Sequence, residues 1–321
     1  MQLPREDLLR AYRGMRTIRA FEERVHHEGA TGDIPGSVHL YAGQEASAVG
    51  VCLDLTDADT VASTHRGHGH SIAKGCDVAG MMAEIFGRST GTCRGKGGSM
   101  HIADLHKGML GANGIVGGGP PLACGAALAA KTLGTGAVSV VFTGDGGMNQ
   151  GTTAESLNLA RVWDLPVLFV VEDNGYAEAT ASSWAVGGSV VRRAEGYDIP
   201  AQLVDGLDVL AVHAAAAEAI KRARGGAGPT LLHVKVPRWY GHFNGDADTY
   251  RPAGHRDAMR RDMDCLRLFR TRVTEAAVLD HAALDAVDAE VAAIMDHAVR
   301  AARAAPRPDP SEVATDVYVS Y

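Results

Sequence analysis

Residues 137–176, AVSVVFTGDGGMNQGTTAESLNLARVWDLPVLFVVEDNGY, contain two short apolar runs separated by a helical pattern. The runs, 137–143 and 165–171, are rich in β-branched residues, which is typical of strands buried on both faces of a sheet. The segment between them carries apolar residues at helical spacing, including Leu157, Leu159, Ala160 and Trp163. Together they predict a strand, helix, strand unit of a parallel sheet.

Both predicted strands end in residues suited to a ligand, and ligands of open parallel sheets bind at the carboxyl ends of the strands. Gly144 and Gly146 allow backbone N–H groups to approach a phosphate. Asp145 offers a carboxylate oxygen, and Asn174, at the end of the second strand, offers an amide oxygen. With a backbone carbonyl at Tyr176 and two phosphate oxygens, these groups would complete an octahedral Mg²⁺ shell.

A bare Gly-Asp-Gly is also ordinary turn chemistry, and the two flanking strands are what favour a ligand site. The arrangement resembles the thiamin diphosphate (ThDP) motif, a GDG followed roughly thirty residues later by an Asn. More closely, GDGGMNQG…ESLNLARVWDLPVLFVVEDNGYAEAT resembles the α subunits of E1 components of 2-oxo-acid dehydrogenase complexes. That family usually has Asn where this chain has Asp173, whereas Asn174 keeps the ligand position.

Composition excludes several classes of protein. The chain has 321 residues, 46% hydrophobic and 21% charged, with a net charge of −7, so nucleic acid is not an expected partner. The sequence contains no apolar run long enough for a bilayer and no signal peptide pattern at its start, so we expect no membrane association. Five widely spaced cysteines without a C-x-x-C pair indicate reduced thiols and a cytoplasmic protein.

The segment HLYAGQEA places His39 in a loop before a helix of small residues. From the residues alone, a cap or a surface histidine is the more common interpretation. The segment is similar to the same α-subunit family, in which this histidine lines the approach to ThDP, and the resemblance implies a catalytic role for His39.

Residues 62–74, ASTHRGHGHSIAK, contain three histidines, but glycines make a regular strand doubtful and no zinc-like spacing is present. A metal site here is therefore disfavoured. Arg66 is better suited to a ligand role, because its guanidinium can form bidentate hydrogen bonds to a phosphate. The E1 α family usually has Tyr-Arg at this point, with both residues on the diphosphate; here His65 replaces the Tyr, a form that resembles the acetoin dehydrogenase branch.

Two glycine-rich segments, 92–101 and 111–121, are compatible with close packing alone. The resemblance implies that the first is an ordered loop near the active site and a subunit interface. It also implies that Gly114 and Val116 offer backbone groups to the aminopyrimidine ring of ThDP, and that the Ile115–Val116 stretch supports the bent cofactor.

The loop 237–246 follows the last buried strand, and His242 in it has an intrinsic pKa suited to proton transfer. Without the resemblance, a solvent-exposed histidine is the simpler interpretation. The pattern R-x-x-G-H resembles the E1 α loop that covers ThDP, which implies roles for Arg238 in cofactor binding and for His242 in catalysis. Phe243 stands where many pyruvate-type relatives have Ser, and GHFNGDADTYR resembles the acetoin branch.

The predicted fold is one α/β domain, a ThDP-binding fold with a central parallel sheet flanked by helices. Residues 1 to about 256 form its core, and about 257–321 form a C-terminal helical extension and a tail. We expect the tail, from Pro306 onward, to be ordered only by a partner.

The resemblance implies an E1 α subunit dependent on ThDP and Mg²⁺ that cleaves a C–C bond next to a carbonyl. Acetoin would give acetaldehyde and a two-carbon unit for a lipoyl E2 core. The acid that faces the pyrimidine belongs to a β subunit in this family, so an α₂β₂ heterotetramer is implied, with this chain inactive alone. Pyruvate, a branched 2-oxo acid or a ketose-derived unit as substrate, and a non-catalytic scaffold, are the alternatives.

Overall fold

The two apolar runs at 137–143 and 165–171 form adjacent parallel strands in a computed structural model that describes residues 3–316 and 318. They lie at the centre of a six-stranded sheet with the order β2-β1-β3-β4-β8-β7, in which every pair of neighbours is parallel. The sheet strands are β1 (Thr60–Ala62), β2 (Met109–Gly111), β3 (Ser139–Gly144), β4 (Val167–Asp173), β7 (Ala201–Asp205) and β8 (Thr230–Lys235). A separate antiparallel hairpin consists of β5 (Tyr176–Ala177) and β6 (Thr180–Ala181). The predicted parallel α/β fold is therefore confirmed.

Helices flank the sheet and connect its strands. The α-helices of the described residues are α1 (Arg5–Gly29), α2 (Glu45–Cys52), α3 (His68–Ala73), α4 (Val78–Ile85), α5 (Gly119–Leu133), α6 (Gly151–Val162), α7 (Ser182–Ala185), α8 (Val190–Glu195), α9 (Val209–Arg224), α10 (His255–Asp262), α11 (Cys265–Glu275) and α12 (His281–Ala304). Short 3-10 helices span Leu105–Lys107, Gly147–Asn149 and Pro310–Ala314. Aspartates cap several of the α-helices; the side chain of Asp208, for example, accepts a hydrogen bond from Leu210 N–H at the start of α9.

The central strands are buried on both faces, as their continuous apolar runs predict. Val140 and Phe142 of β3 belong to one apolar core, whereas Val141, between them, belongs to the core on the opposite face. Successive side chains of a strand point to opposite faces, and each buried side chain of this size stabilises the fold by about 1.5–3 kcal/mol. The central unit is therefore a rigid platform for the loops at its edge.

The C-terminal helices pack on the N-terminal helix. The Tyr12 hydroxyl of α1 donates to Asp288 of α12 at 2.8 Å, and Arg13 bonds to Glu290 at 3.0 Å. Leu284 and Val291 of α12 belong to the same core as the apolar stripe of α1. This continuity supports our proposal that the extension and the sheet form one domain.

The C-terminal tail lies against a loop of the same chain. Where the structure describes it, the tail contacts the chain's own glycine-rich loop: the Lys96 ammonium donates to the Glu312 carbonyl at 2.7 Å and to the Asp316 carboxylate at 2.6 Å. Basic residues of the loop thus lie against acidic residues of the tail, and the expectation that a partner orders the tail stays a prediction. Residues 317 and 319–321 lie outside the described residues.

No helix in the described part of the chain has the length and apolarity needed to cross a bilayer.

Candidate active site

A cavity of about 410 Å³ opens at the carboxyl edge of the sheet, where β1, β3 and β4 end. The register pairs Gly144 with Glu172, so the residues that follow β3 and β4 emerge side by side. Every residue that the sequence predicted for the site lines this cavity: His39, His65, Arg66, Gly114, Ile115, Val116, Gly144, Asp145, Gly146, Asn174, Tyr176, Arg238 and His242. Residues up to two hundred positions apart in the chain are thus brought together.

Asp145 lies at the tip of β3 and is only 3% exposed. Its Oδ2 is buried and accepts no hydrogen bond from the described residues. Burial raises the pKa of the Asp145 carboxyl, a side-chain hydrogen bond with Ser182 opposes this effect, and the charge of Asp173 adds to it. A buried carboxylate oxygen without a donor is costly, and a cation is the partner that would offset that cost.

Asn174 follows β4 on the same edge. Its Oδ1 accepts from Tyr176 N–H at 3.2 Å, and its Nδ2 donates to Gln44 Oε1 at 3.3 Å. The Tyr176 N–H can only donate, so it fixes which end of the Asn174 amide is the oxygen, and that oxygen keeps a second lone pair. The Tyr176 carbonyl accepts from Arg238 Nη1 at 3.4 Å.

The two glycines beside Asp145 have different surroundings. A Cβ at Gly144 would meet nothing within 4 Å, whereas a Cβ at Gly146 would lie 2.6 Å from the Ala177 Cβ. Gly144 therefore leaves open space in the cavity that a ligand can fill, and Gly146 is required by the packing of the strand tip against the hairpin.

Two arginines lie at the cavity wall. Arg66 is buried and donates to the Leu40 carbonyl at 2.5 Å and to the His242 carbonyl at 2.8 Å, so it connects two loops. Burial, with the neighbouring charge of Arg238, lowers the pKa of Arg66 to about 9. A guanidinium has five N–H donors, so these two bonds leave donors for a phosphate. Arg238 donates to the carbonyls of Tyr176 and Glu178 and, at 2.6 Å, to the Tyr250 hydroxyl.

Three imidazoles meet at the end of the cavity near the loops. The ring centroid of His39 lies 4.8 Å from that of His65 and 4.9 Å from that of His242, and the last two are 5.2 Å apart. Burial, reinforced by the positive charge of Arg66, lowers the pKa of His39 to about 3, of His65 to about 2 and of His242 to about 4. All three rings are therefore neutral near pH 7.

The other two histidines of the segment 62–74 are not part of this group. His68 and His70 lie in α3, and each bonds to a buried carboxylate: His68 to Glu22 at 3.0 Å and His70 to Glu172 at 3.1 Å. His68 and His70 are therefore engaged by buried carboxylates, whereas His65 alone of the three histidines of this segment faces the cavity.

Glu172 is a cavity residue that the sequence reasoning missed. It accepts from Ser47 Oγ at 2.7 Å, from the Tyr41 hydroxyl and from His70. The signal was an acidic residue directly after the apolar run 165–171, still within the strand. Its partners are remote in sequence, so only the fold shows that they satisfy it.

Asp173, the departure from the usual Asn, points toward β8. Its Oδ2 accepts from His233 Nε2 at 2.8 Å and from the Lys235 ammonium. Burial raises the pKa of the Asp173 carboxyl, but the bonds from His233 and Lys235 outweigh burial and hold it at about 2. Asp173 therefore connects two strands, and the cavity keeps Asn174.

Comparisons with known proteins agree with this geometry. The family model for the dehydrogenase E1 component matches residues 13–311. The α subunit of acetoin:2,6-dichlorophenolindophenol oxidoreductase from Cupriavidus necator is 59% identical over the whole chain and 97% of that protein. Its Bacillus subtilis counterpart is 54% identical, over the whole chain and 96% of that protein. The pyruvate dehydrogenase E1 α subunit of Rhizobium meliloti is 40% identical, over 98% of this chain and 91% of that protein.

Identity of this extent, together with a family match over most of the chain, fixes the classification. Members of the family are oxidoreductases that depend on ThDP. The chain therefore belongs to the dehydrogenase E1 component family, among its α subunits.

Proposed function

We propose that this chain is the α subunit of a ThDP- and Mg²⁺-dependent E1 enzyme that cleaves acetoin and passes a two-carbon unit to a lipoyl E2. The observation that carries the proposal is the single cavity that joins Asp145 and Asn174 to three neutral imidazoles. Two relatives more than half identical to the chain are named as acetoin oxidoreductases. The free thiols of all five cysteines fit the cytoplasmic location that we propose.

The residues at the strand tips fit a magnesium diphosphate. The unpaired Oδ2 of Asp145 and the amide oxygen of Asn174 are the hard oxygen ligands that Mg²⁺ prefers. The Tyr176 carbonyl is our third proposed ligand. Gly144 leaves room for phosphate oxygens, and Gly146 allows the strand tip to pack closely. The free N–H groups of Arg66, and His65 beside it, would bind the same anion.

The region of Gly114, Ile115 and Val116 is proposed to face the pyrimidine ring. The side chains of Ile115 and Val116 are 73% and 52% exposed although both line the cavity. Exposed apolar side chains at a cavity mouth favour a covering surface. We propose that the β subunit of an α₂β₂ enzyme supplies this surface together with the acid that faces the pyrimidine.

The imidazole end suits an uncharged substrate. We assign the remaining N–H groups of Arg66 to the diphosphate, and Arg238 already donates to two backbone carbonyls. The rings of His39, His65 and His242 carry no charge near pH 7. Bound ThDP supplies a carbon nucleophile for a carbonyl group and an electron sink. We propose that His39 and His242 donate to or accept from the hydroxyl and carbonyl oxygens of acetoin.

The test is a substrate panel with the chain purified alone and with its β partner. We expect acetoin-dependent reduction of dichlorophenolindophenol only by the two subunits together, with kcat/KM for acetoin above that for pyruvate and branched 2-oxo acids. Acetoin cleavage by this chain alone, or a preference for pyruvate, would contradict the proposal.

A further inference from the structure

His39, His65 and His242 form a group whose chemistry differs from that of the strand tips. Each residue offers a ring nitrogen, and these three nitrogens lie within 4.8 Å of one another. The residues come from three segments: the loop before α2, the end of β1 and the loop after β8. No other set of three or more metal-binding side chains was found in the described residues.

Two of these residues have a ring nitrogen that lacks a protein partner. Nδ1 of His39 and Nδ1 of His242 are buried without a hydrogen bond to any described residue, and the side chain of His39 is only 7% exposed. A buried ring nitrogen without a partner is unfavourable. In the neutral ring one nitrogen carries a lone pair, which is the form that binds a metal ion.

We propose that His39, His65 and His242 bind one divalent transition-metal cation of the Zn²⁺ class when no cofactor is present. Imidazole nitrogen favours Zn²⁺ and Co²⁺, whereas Mg²⁺ favours the oxygens of Asp145 and Asn174. The two ends of the cavity therefore favour different classes of cation, because one end offers nitrogen ligands and the other offers oxygen ligands. Three protein ligands leave a fourth position for water, as in catalytic zinc sites.

Two groups outside the triad hold its members. Ser99 Oγ accepts from the backbone N–H of His39 at 3.4 Å, and the Asp246 carboxylate accepts from the backbone N–H of His242 at 2.6 Å, so both bonds position the main chain of the loops. The Asp246 carboxylate also places negative charge beside His242, which favours a cation.

Two features limit the affinity. Arg66 lies beside the group, and its positive charge opposes a second cation. Bonds of about 2.0–2.1 Å to one Zn²⁺ also require the nitrogens to approach to roughly 3.4 Å. Because His39 and His242 lie in loops, ring rotation supplies this movement, and the site is weaker than a structural zinc site.

The inference concerns cofactor-free protein and does not depend on the proposed function.

The experiment is a titration of the purified protein, freed of ThDP and Mg²⁺, with Co²⁺ followed by visible absorption and with Zn²⁺ followed by calorimetry. We expect one Co²⁺ per chain with the intense bands of four-coordinate cobalt, and no displacement by Mg²⁺. His65→Gln and His242→Gln should each weaken binding at least about tenfold. His106→Gln, at an exposed histidine outside the cavity, is the matched control and should bind as the unmodified protein does.

Equal affinity in His65→Gln, His242→Gln and the unmodified protein would overturn the proposal. Thermal melts establish that each variant is folded. If a variant fails to fold, the spectrum of the unmodified protein is sufficient for the test. A spectrum that shows nothing but the weak bands of octahedral Co²⁺ would also overturn the proposal. Activity is not used as a readout, so failure here is distinguishable from failure of the proposed function.

Discussion

The two ends of the cavity differ in chemistry although they share one wall. At the strand tips, Asp145 and Asn174 present oxygen atoms on a rigid sheet. At the other end, His39 and His242 present uncharged nitrogen atoms on loops. From this difference we propose a division of roles in which the sheet binds the charged diphosphate of the cofactor and the loops contact the reacting atoms.

The largest effect on activity is expected for a substitution in the loops, at the imidazole end of the cavity. His242→Gln should lower kcat/KM for acetoin by about 10²-fold or more, because it removes a group placed for proton transfer. The Kd for ThDP should change only a few-fold. Steady-state kinetics and calorimetry of the α–β enzyme measure the two quantities, with His106→Gln as the control. A large loss of ThDP affinity would mean that the ends are not separable.

Gly144→Ala tests the role of the strand tips in binding the cofactor. The added methyl group meets no protein atom within 4 Å but occupies the cavity, so we expect at least about a tenfold rise in the Kd for ThDP with kinetics otherwise intact at saturation. The thermal midpoint of the protein without cofactor should be unchanged. Gly151→Ala also meets open space, outside the cavity, and should leave the Kd unaltered. Matching ThDP affinity in the two variants would argue against phosphate at Gly144.

A third prediction concerns pH and the free energy of unfolding. The pKa values of His39, His65 and His242 are lowered to about 3, 2 and 4, so the unfolded chain binds protons below about pH 6.5 that the native state does not. Stability should therefore fall as pH falls from about 6.5 toward 4, by about 1.4 kcal/mol per pH unit for each histidine.

Urea titrations at a series of pH values measure this slope. In His242→Gln the slope of the unfolding free energy against pH should decrease by about 1.4 kcal/mol per pH unit, the contribution of one proton. An unchanged slope would show that the ring is already solvated in the native protein.

The smallest effect is expected at Asp173, which lies beside Asn174 but points toward β8. Asp173→Asn should lower stability near neutral pH by about 1 kcal/mol, since its partner Lys235 is largely exposed. Because the pKa of Asp173 is lowered to about 2, this contribution is present above the ordinary carboxyl range and disappears as pH falls toward 2. Chemical denaturation of both proteins at several pH values measures the difference.

The sequence was sufficient for the strand tips because their determinants are local. The apolar runs around Gly144 and Asn174 specify buried parallel strands, and parallel strands bring their carboxyl ends to one edge. Short strands such as β1 and β2 carry three residues each and were not predicted, because so short a run has no measurable period.

The remainder depended on contacts distant in sequence. Glu172 contacts Tyr41, Ser47 and His70, all more than a hundred residues away. His39, His65 and His242 come from three separate loops, and their spacing in the sequence does not predict that their rings lie together. The contact of the tail with Lys96 was not predicted, because Lys96 lies in a glycine-rich loop distant in sequence. The assigned roles of the site residues stay predictions.

The most direct measurement is ThDP binding to the α–β enzyme by calorimetry, with saturating Mg²⁺ or with EDTA, in the unmodified protein and in Asp145→Asn. We predict binding that requires Mg²⁺ and a Kd at least about 100-fold higher in Asp145→Asn, equivalent to about 2.7 kcal/mol. Asp173→Asn, at the neighbouring acid, should bind as the unmodified protein does. Equal affinity in Asp145→Asn, or equal affinity in EDTA, would contradict a magnesium-bridged diphosphate at the strand tips.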